Sequence, residues 1–134
     1  MLHRRQNTEQ LLKAEERRQR EHDAGKLIGR IPKLVSLRLE IDDTLGDSAI
    51  NSVRHIRHVV VDRAPALFEI PCTDHECRDG GHDLTFPILQ ALRASAREFH
   101  GEDACSGQVG SSGCRRVLRY VAYASYRDAA NHGE

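Results

Sequence analysis

The chain has 134 residues, 30% of them charged and 39% apolar, with no Trp and a formal net charge of zero from 20 basic and 20 acidic side chains. That length fits one compact domain with a modest, mainly aliphatic core, and the balanced charge removes the large positive field that strong non-specific binding to nucleic acid or anionic membrane needs. No apolar run follows Met1-Leu2-His3-Arg4-Arg5 or reaches membrane-spanning length, so a cytoplasmic protein with no signal peptide and no membrane contact is expected.

Residues 1–26 are the first segment. From Thr8 to about Gly25 the composition favours a helix, yet beyond Leu11, Leu12 and Ala14 almost nothing is apolar, which predicts a polar, exposed N-terminal helix or arm. Glu9 with Lys13 and Glu16 with Arg20 have the spacing of i,i+4 ion pairs. The arm is also the basic part of the chain: residues 1–33 carry nine Lys/Arg against five acids, the remainder eleven against fifteen. Gly25, Gly29 and Pro32 punctuate a short apolar stretch, and residues 27–33 are the predicted linker.

The predicted domain covers residues 34–127. Val35, Leu37, Leu39 and Ile41 alternate with polar residues from Leu34 onward, the pattern of a half-buried antiparallel strand. Asp42 to Asn51 reads as a loop and His55 to Asp62, centred on Val59-Val60-Val61, as a second strand. Leu67 to Ile70 continues extended. After the Gly80-Gly81 turn, Asp83 or Thr85 can cap a helix with Pro87 in its first turn; Ile88, Leu89, Leu92, Ala96 and Phe99 form its apolar face and Gly101 ends it. Residues 105–114 read as a loop, Val117 to Tyr126 as the last strand, and 128–134 as a disordered tail. The fold class that follows is α+β, a small antiparallel sheet of about three to four strands covered by one helix in the order β-β-α-β.

Four cysteines carry the chemistry. Cys72-x4-Cys77 and Cys105-x8-Cys114 are two pairs, each in a glycine-containing turn segment, flanking the predicted helix. Two close pairs that the fold can bring together are what a tetrahedral site needs, so Cys72, Cys77, Cys105 and Cys114 are the expected ligands of one structural Zn2+. The pairs resemble those of small zinc-ribbon-like modules, a resemblance confined to the cysteines. An iron–sulfur cluster, disulfides and unlinked thiols are the alternatives; no C-x2-C run supports a cluster, and a reducing compartment disfavours disulfides. His75 and His82 stand close enough in sequence to replace a cysteine, but four thiols suffice.

Catalytic motifs are missing. Four thiolates close the coordination shell, and His75-Glu76 lacks the second half of H-E-x2-H as well as the deaminase pattern. Residues 107–113 resemble a phosphate loop in composition only, and His82-Asp83 reads more simply as a cap than as an acid–base pair. Arg54, Arg57, Arg115, Arg116 and Arg119 lie on or beside strands that can be neighbours; on one face with Tyr120 or Tyr123 they could touch nucleic acid, although nearby acids favour a solvated sheet face. The function expected is a zinc-stabilised protein-binding module, an adaptor or regulatory subunit and not an enzyme, with a protein partner met through the N-terminal helix or the exposed sheet face. A nucleic-acid-binding zinc protein and a thiol-based redox sensor or small enzyme are the alternatives.

Overall fold

The structure is a computed structural model that describes residues 2–45, 48–74 and 76–127, with side chains described from Thr8 onward except at residues 48–51. His75 and the tail at 128–134 lie outside the described residues. Two helices open the chain, α1 (Leu2–Ala24) and the single turn α2 (Leu27–Arg30). The long strands β1 (Leu34–Leu45) and β2 (Ser48–Val59) follow, then the short pair β3 (Glu69–Ile70) and β4 (His82–Asp83), helix α3 (Thr85–Arg93), strand β5 (Glu98–Ala104), the short pair β6 (Gln108–Val109) and β7 (Ser112–Gly113), and β8 (Arg116–Tyr126).

The main sheet is antiparallel with the order β2-β1-β8-β5. Its inner face is built by period-two alternation: Leu37, Leu39 and Ile41 of β1 and Leu118, Tyr120, Ala122 and Ala124 of β8 are buried. Ile88, Leu89 and Leu92, spaced for one helical face, cover them from α3, joined by Phe68, Ile70 and Leu84 from the flanking segments. A bulge between Leu34 and Ser36 shifts the alternation, so that Leu34 enters the core and Val35 is exposed.

Several expectations are corrected here. The sequence between the helix and the last strand holds a fourth main-sheet strand, so the main-sheet order around the helix is β-β-α-β-β and not β-β-α-β. Helix α3 stops at Arg93, before Ala96 and Phe99, because Ser95 takes a left-handed conformation (φ 58°). The Ser95 N–H bonds the Leu92 carbonyl and the Ala96 N–H the Ala91 carbonyl, the paired bonds of a Schellman stop with Ser where Gly is usual. The loop read at residues 42–51 is largely strand: Asp42 and Asp43 pair with Arg54 and Val53, so β1 and β2 extend towards each other as a hairpin. Residues 27–33, read as a linker, are packed: Leu27 and Ile31 are buried, and backbone bonds tie Leu27 and Gly25 to Ala64 and Ala66.

The polar N-terminal helix is present as α1, exposed along most of its described side chains, with Leu11 66% and Leu12 52% accessible. Its described ion pairs differ from those expected: Arg17 lies 3.8 Å from Glu21, and Arg20 makes a bidentate contact with Glu69 of β3 at 2.8 and 3.1 Å.

Candidate metal centre

The main sheet itself brings the second pair of cysteines together. β5 ends at Ala104 and β8 begins at Arg116, neighbouring strands whose ladder runs to Ala104 opposite Val117. Cys105 continues that ladder with an N–H bond to the Arg116 carbonyl (3.0 Å), and the β6–β7 hairpin then leads to Cys114, whose N–H bonds the Gly107 carbonyl (2.8 Å). The first pair rides on the loop between β3 and β4. Arg78 pairs with Gln108 through two backbone bonds of 2.8 and 3.0 Å, which lays this loop against the second one.

The four sulfurs, one from each of Cys72, Cys77, Cys105 and Cys114, consequently lie within 4.8 Å of one another. Cys72 Sγ is 3.8 Å from Cys114 Sγ and Cys77 Sγ is 3.6 Å from Cys105 Sγ, each near contact joining one loop to the other. Those separations are well beyond a disulfide bond of about 2.05 Å, and all four cysteines are free thiols. Sulfurs bound tetrahedrally at about 2.3 Å from a single ion stand about 3.8 Å apart. The residues therefore fit one four-coordinate ion. A cluster of several irons would place inorganic sulfide between the cysteines and spread them further.

The backbone completes the cage. Asp74 N–H points at Cys72 Sγ (3.5 Å), and both Gly107 and Gly81 N–H point at Cys105 Sγ (3.4 Å each). Gly107 is buried where the loops touch: a Cβ there would overlap Cys77 Sγ and lie 2.5 Å from Gly80 Cα and 2.7 Å from the Arg78 carbonyl oxygen. Only glycine allows that approach. Burial raises the Cys72 thiol well above its ordinary range, and burial together with the Cys105 thiol pushes Cys77 up to about 11. Cys105 moves the other way: burial opposes its ionisation, but the Gly107 and Gly81 amides and the neighbouring thiols outweigh it and lower its pKa. A bound cation would favour the thiolate form that burial opposes at Cys72 and Cys77.

A buried ion pair anchors the centre to the sheet. Asp43, 1% accessible, accepts a bond from Arg116 Nε on Oδ1 (3.0 Å) and from the Thr73 hydroxyl on Oδ2 (3.0 Å), while Arg116 Nη2 reaches the Asp43 carbonyl (3.3 Å). Thr73 follows Cys72 and Arg116 lies two residues past Cys114, so one carboxylate holds both loops. His82 stands outside the sulfur set. Its buried ring is 2.9 Å through Nδ1 from Asp103 Oδ2, not paired with Asp83, and its Nε2 has no hydrogen-bond partner among the described residues. Asp83 instead accepts the Thr85 N–H (3.1 Å) at the start of α3.

The five arginines considered for a basic surface do not share a face. Arg54 and Arg119 both flank Asp42 on the outer face of the sheet; Arg57 sits opposite Leu39 on the inner side, Arg115 is exposed beside Cys114, and Arg116 is the buried partner of Asp43. Tyr120 is buried, whereas Tyr123 is on the outer face with the Arg38 guanidinium 4.5 Å from its ring centroid. No described helix is long and apolar enough to cross a membrane. No family model, curated protein or solved structure matches the chain.

Proposed function

We propose that the chain is a zinc-stabilised binding module, an adaptor or regulatory subunit in which the metal holds two loops to the end of the sheet and the outer sheet face meets a protein partner. The observation that carries this reading is the convergence of four sulfurs from two loops within 4.8 Å of one another, with the two contacts between loops, 3.8 and 3.6 Å, near the edge length of a tetrahedral thiolate shell. With all four positions supplied by the chain, none is left for substrate or water, so a structural role fits better than Lewis-acid catalysis. Zinc is the ion preferred, because it accepts a tetrahedral thiolate shell with no demand of its own on geometry and no redox chemistry to control. The four thiols fit a reducing, cytoplasmic setting. The scatter of arginines over several surfaces favours a protein over a nucleic acid as partner, since phosphate binding needs cations gathered along one path.

Elemental analysis of freshly purified, reduced protein tests the metal assignment. About one zinc per chain is expected, with chelation lowering the melting temperature and zinc restoring it. Iron with visible absorbance, or metal-free protein whose melting ignores chelator, would refute it.

A further inference from the structure

Among the described residues no layer packs on the outer face of the main sheet, and the strand register sets three central rows of side chains between Thr44-Val117-Ala104 at one end and Ser36-Ser125 at the other. Reading across β2, β1, β8 and β5, one row is Arg54, Asp42, Arg119, Glu102. The next is Ile56, Glu40, Val121, His100, and the third His58, Arg38, Tyr123, Glu98. The first row alternates strictly in sign. Its internal contacts are open ones: Arg54 is 3.9 Å from both Asp42 and Glu40, too long for hydrogen bonds, and Arg119 meets Glu102 at 3.1 Å with both side chains more than half exposed.

We propose that a second copy of this chain packs on this face, about a twofold axis running parallel to the strands between β1 and β8. The inference rests on the reading of the outer face as a contact surface and names its occupant. A twofold in that direction sets each row against its own reverse. Arg54 then meets Glu102 of the second copy, and Asp42 meets Arg119. In the third row His58 meets Glu98, and Arg38 lies against Tyr123, extending across the interface the cation–π contact already made within the chain. In the middle row Ile56, 56% exposed, is covered by His100. Glu40 meets only Val121, but it is compensated within its own chain by Arg38 at 3.4 Å and Arg54 at 3.9 Å. A twofold perpendicular to the strands through the middle row would exchange the first and third rows, setting Glu102 against Glu98 and Arg54 against His58, so the charges favour the parallel axis. Sheets packed face to face keep their strands nearly aligned, as this axis requires. A net charge of zero removes long-range repulsion between copies. Four strands make a small face by the standard of stable dimers, so association in the micromolar range follows.

The test uses the full zinc-loaded chain in sedimentation equilibrium from about 1 to 300 µM. Wild type is expected to pass from one to two chain masses within that range. Two variants reverse the first row, Arg54→Glu with Arg119→Glu and Asp42→Lys with Glu102→Lys. Each alone is expected to stay monomeric, and a one-to-one mixture to form a heterodimer, because the mixture restores opposite charge at every contact in that row. Circular dichroism and metal content establish that each variant is folded. Should a reversed chain fail to fold, Tyr123→Ala leaves the charges alone and is expected to weaken association about tenfold or more, since symmetry counts the lost contact twice. Wild type that stays monomeric throughout overturns the proposal. So do reversed variants that still dimerise, a mixture that does not, or a Tyr123→Ala chain that associates like wild type. None of these outcomes touches the metal content, whose failure would strike the zinc assignment instead.

Discussion

Replacing Gly107 by alanine adds one methyl group at the most crowded point of the metal centre. The new Cβ would overlap Cys77 Sγ and lie 2.5 Å from Gly80 Cα and 2.7 Å from the Arg78 carbonyl oxygen. Two of those three neighbours are backbone and the third is a proposed metal ligand, so no flexible side chain can swing aside. Relief must come from separating the loops, which stretches the Arg78–Gln108 backbone pair and the sulfur cage together. Overpacking of a well-fitted interior costs about 1–3 kcal/mol, and the upper part of that range is expected because loosening the cage also weakens metal binding. For a chain of this size 1 kcal/mol corresponds to about 3–4 °C in melting temperature; the Ala variant should melt about 7–10 °C below wild type and lose zinc sooner to a competing chelator. Gly113 is the internal control, since a Cβ there meets nothing within 4 Å, and its Ala variant should melt within about 2 °C of wild type. Thermal melts with metal analysis decide the matter. A Gly107→Ala protein that keeps its zinc and its melting temperature would refute the close approach of the two loops.

Ser95→Gly removes a left-handed serine at the end of α3 and should stabilise the chain by about 1 kcal/mol, or about 3–4 °C, read as a rise in melting temperature. Asp43→Ala or Arg116→Ala breaks a buried, hydrogen-bonded ion pair, a loss of about 3–5 kcal/mol in urea unfolding; the double variant should cost less than the two single losses added together. Metal affinity should rise with pH. The raised pKa values of Cys72 and Cys77 mean that both thiols hold protons near neutrality, and a metal ion must displace them. At least two protons released per ion gives a gain of about a hundredfold per pH unit between about pH 6 and 8, measured by chelator competition; an affinity independent of pH would contradict bound thiolates.

Strands β1 and β8 are legible in the sequence because their inner positions are nearly all apolar and period two holds from Leu37 to Ile41 and from Leu118 to Ala124. β5 is hidden because its inner positions serve other needs. Between Phe99 and Asp103 stands Gly101, where a Cβ would lie 2.7 Å from the Tyr120 hydroxyl, so the ring of the neighbouring strand fills the glycine's side. Asp103 faces His82 instead of the apolar core. An inner face of Phe, Gly and Asp leaves no hydrophobic alternation to read, and Phe99 falls by coincidence on the period of the preceding helix. The helix stop was equally masked, since Ser95 does the work normally signalled by glycine. The cysteine grouping was readable from composition and pairing alone. The buried pair leaves a signal in the sequence: Asp43 continues the inward phase of Leu37, Leu39 and Ile41, and Arg116 that of Leu118, Tyr120 and Ala122, so opposite charges stand in inward phase on adjacent strands.

That pair would decide how the free energy of an ion bound by the four cysteines reaches the rest of the protein. Among the described residues, the loops at 71–81 and 105–115 contribute only Cys105 to the buried apolar residues, and the core cluster lies in the sheet, at Leu27 and Ile31, at Leu84 and along α3, and in residues 61–70. Little hydrophobic burial therefore orders the loops, and their conformational entropy must be offset by something else. Two kinds of bond are available: sulfur to metal, and the contacts of Asp43. Because the Asp43 carboxylate takes Thr73 on one oxygen and Arg116 on the other, it fixes the first loop to β1 and the second loop's exit to β8 at the same point. A bound ion would hold Cys72 against Cys114, and each of those cysteines lies within two residues of an Asp43 partner. Gathering the sulfurs and satisfying Asp43 are thus parts of one arrangement: a loop that leaves the metal also strips a buried carboxylate of a bond. With an ion bound, coordination and the buried charge network would hold the domain at this end jointly, in place of the apolar core that its composition cannot extend so far.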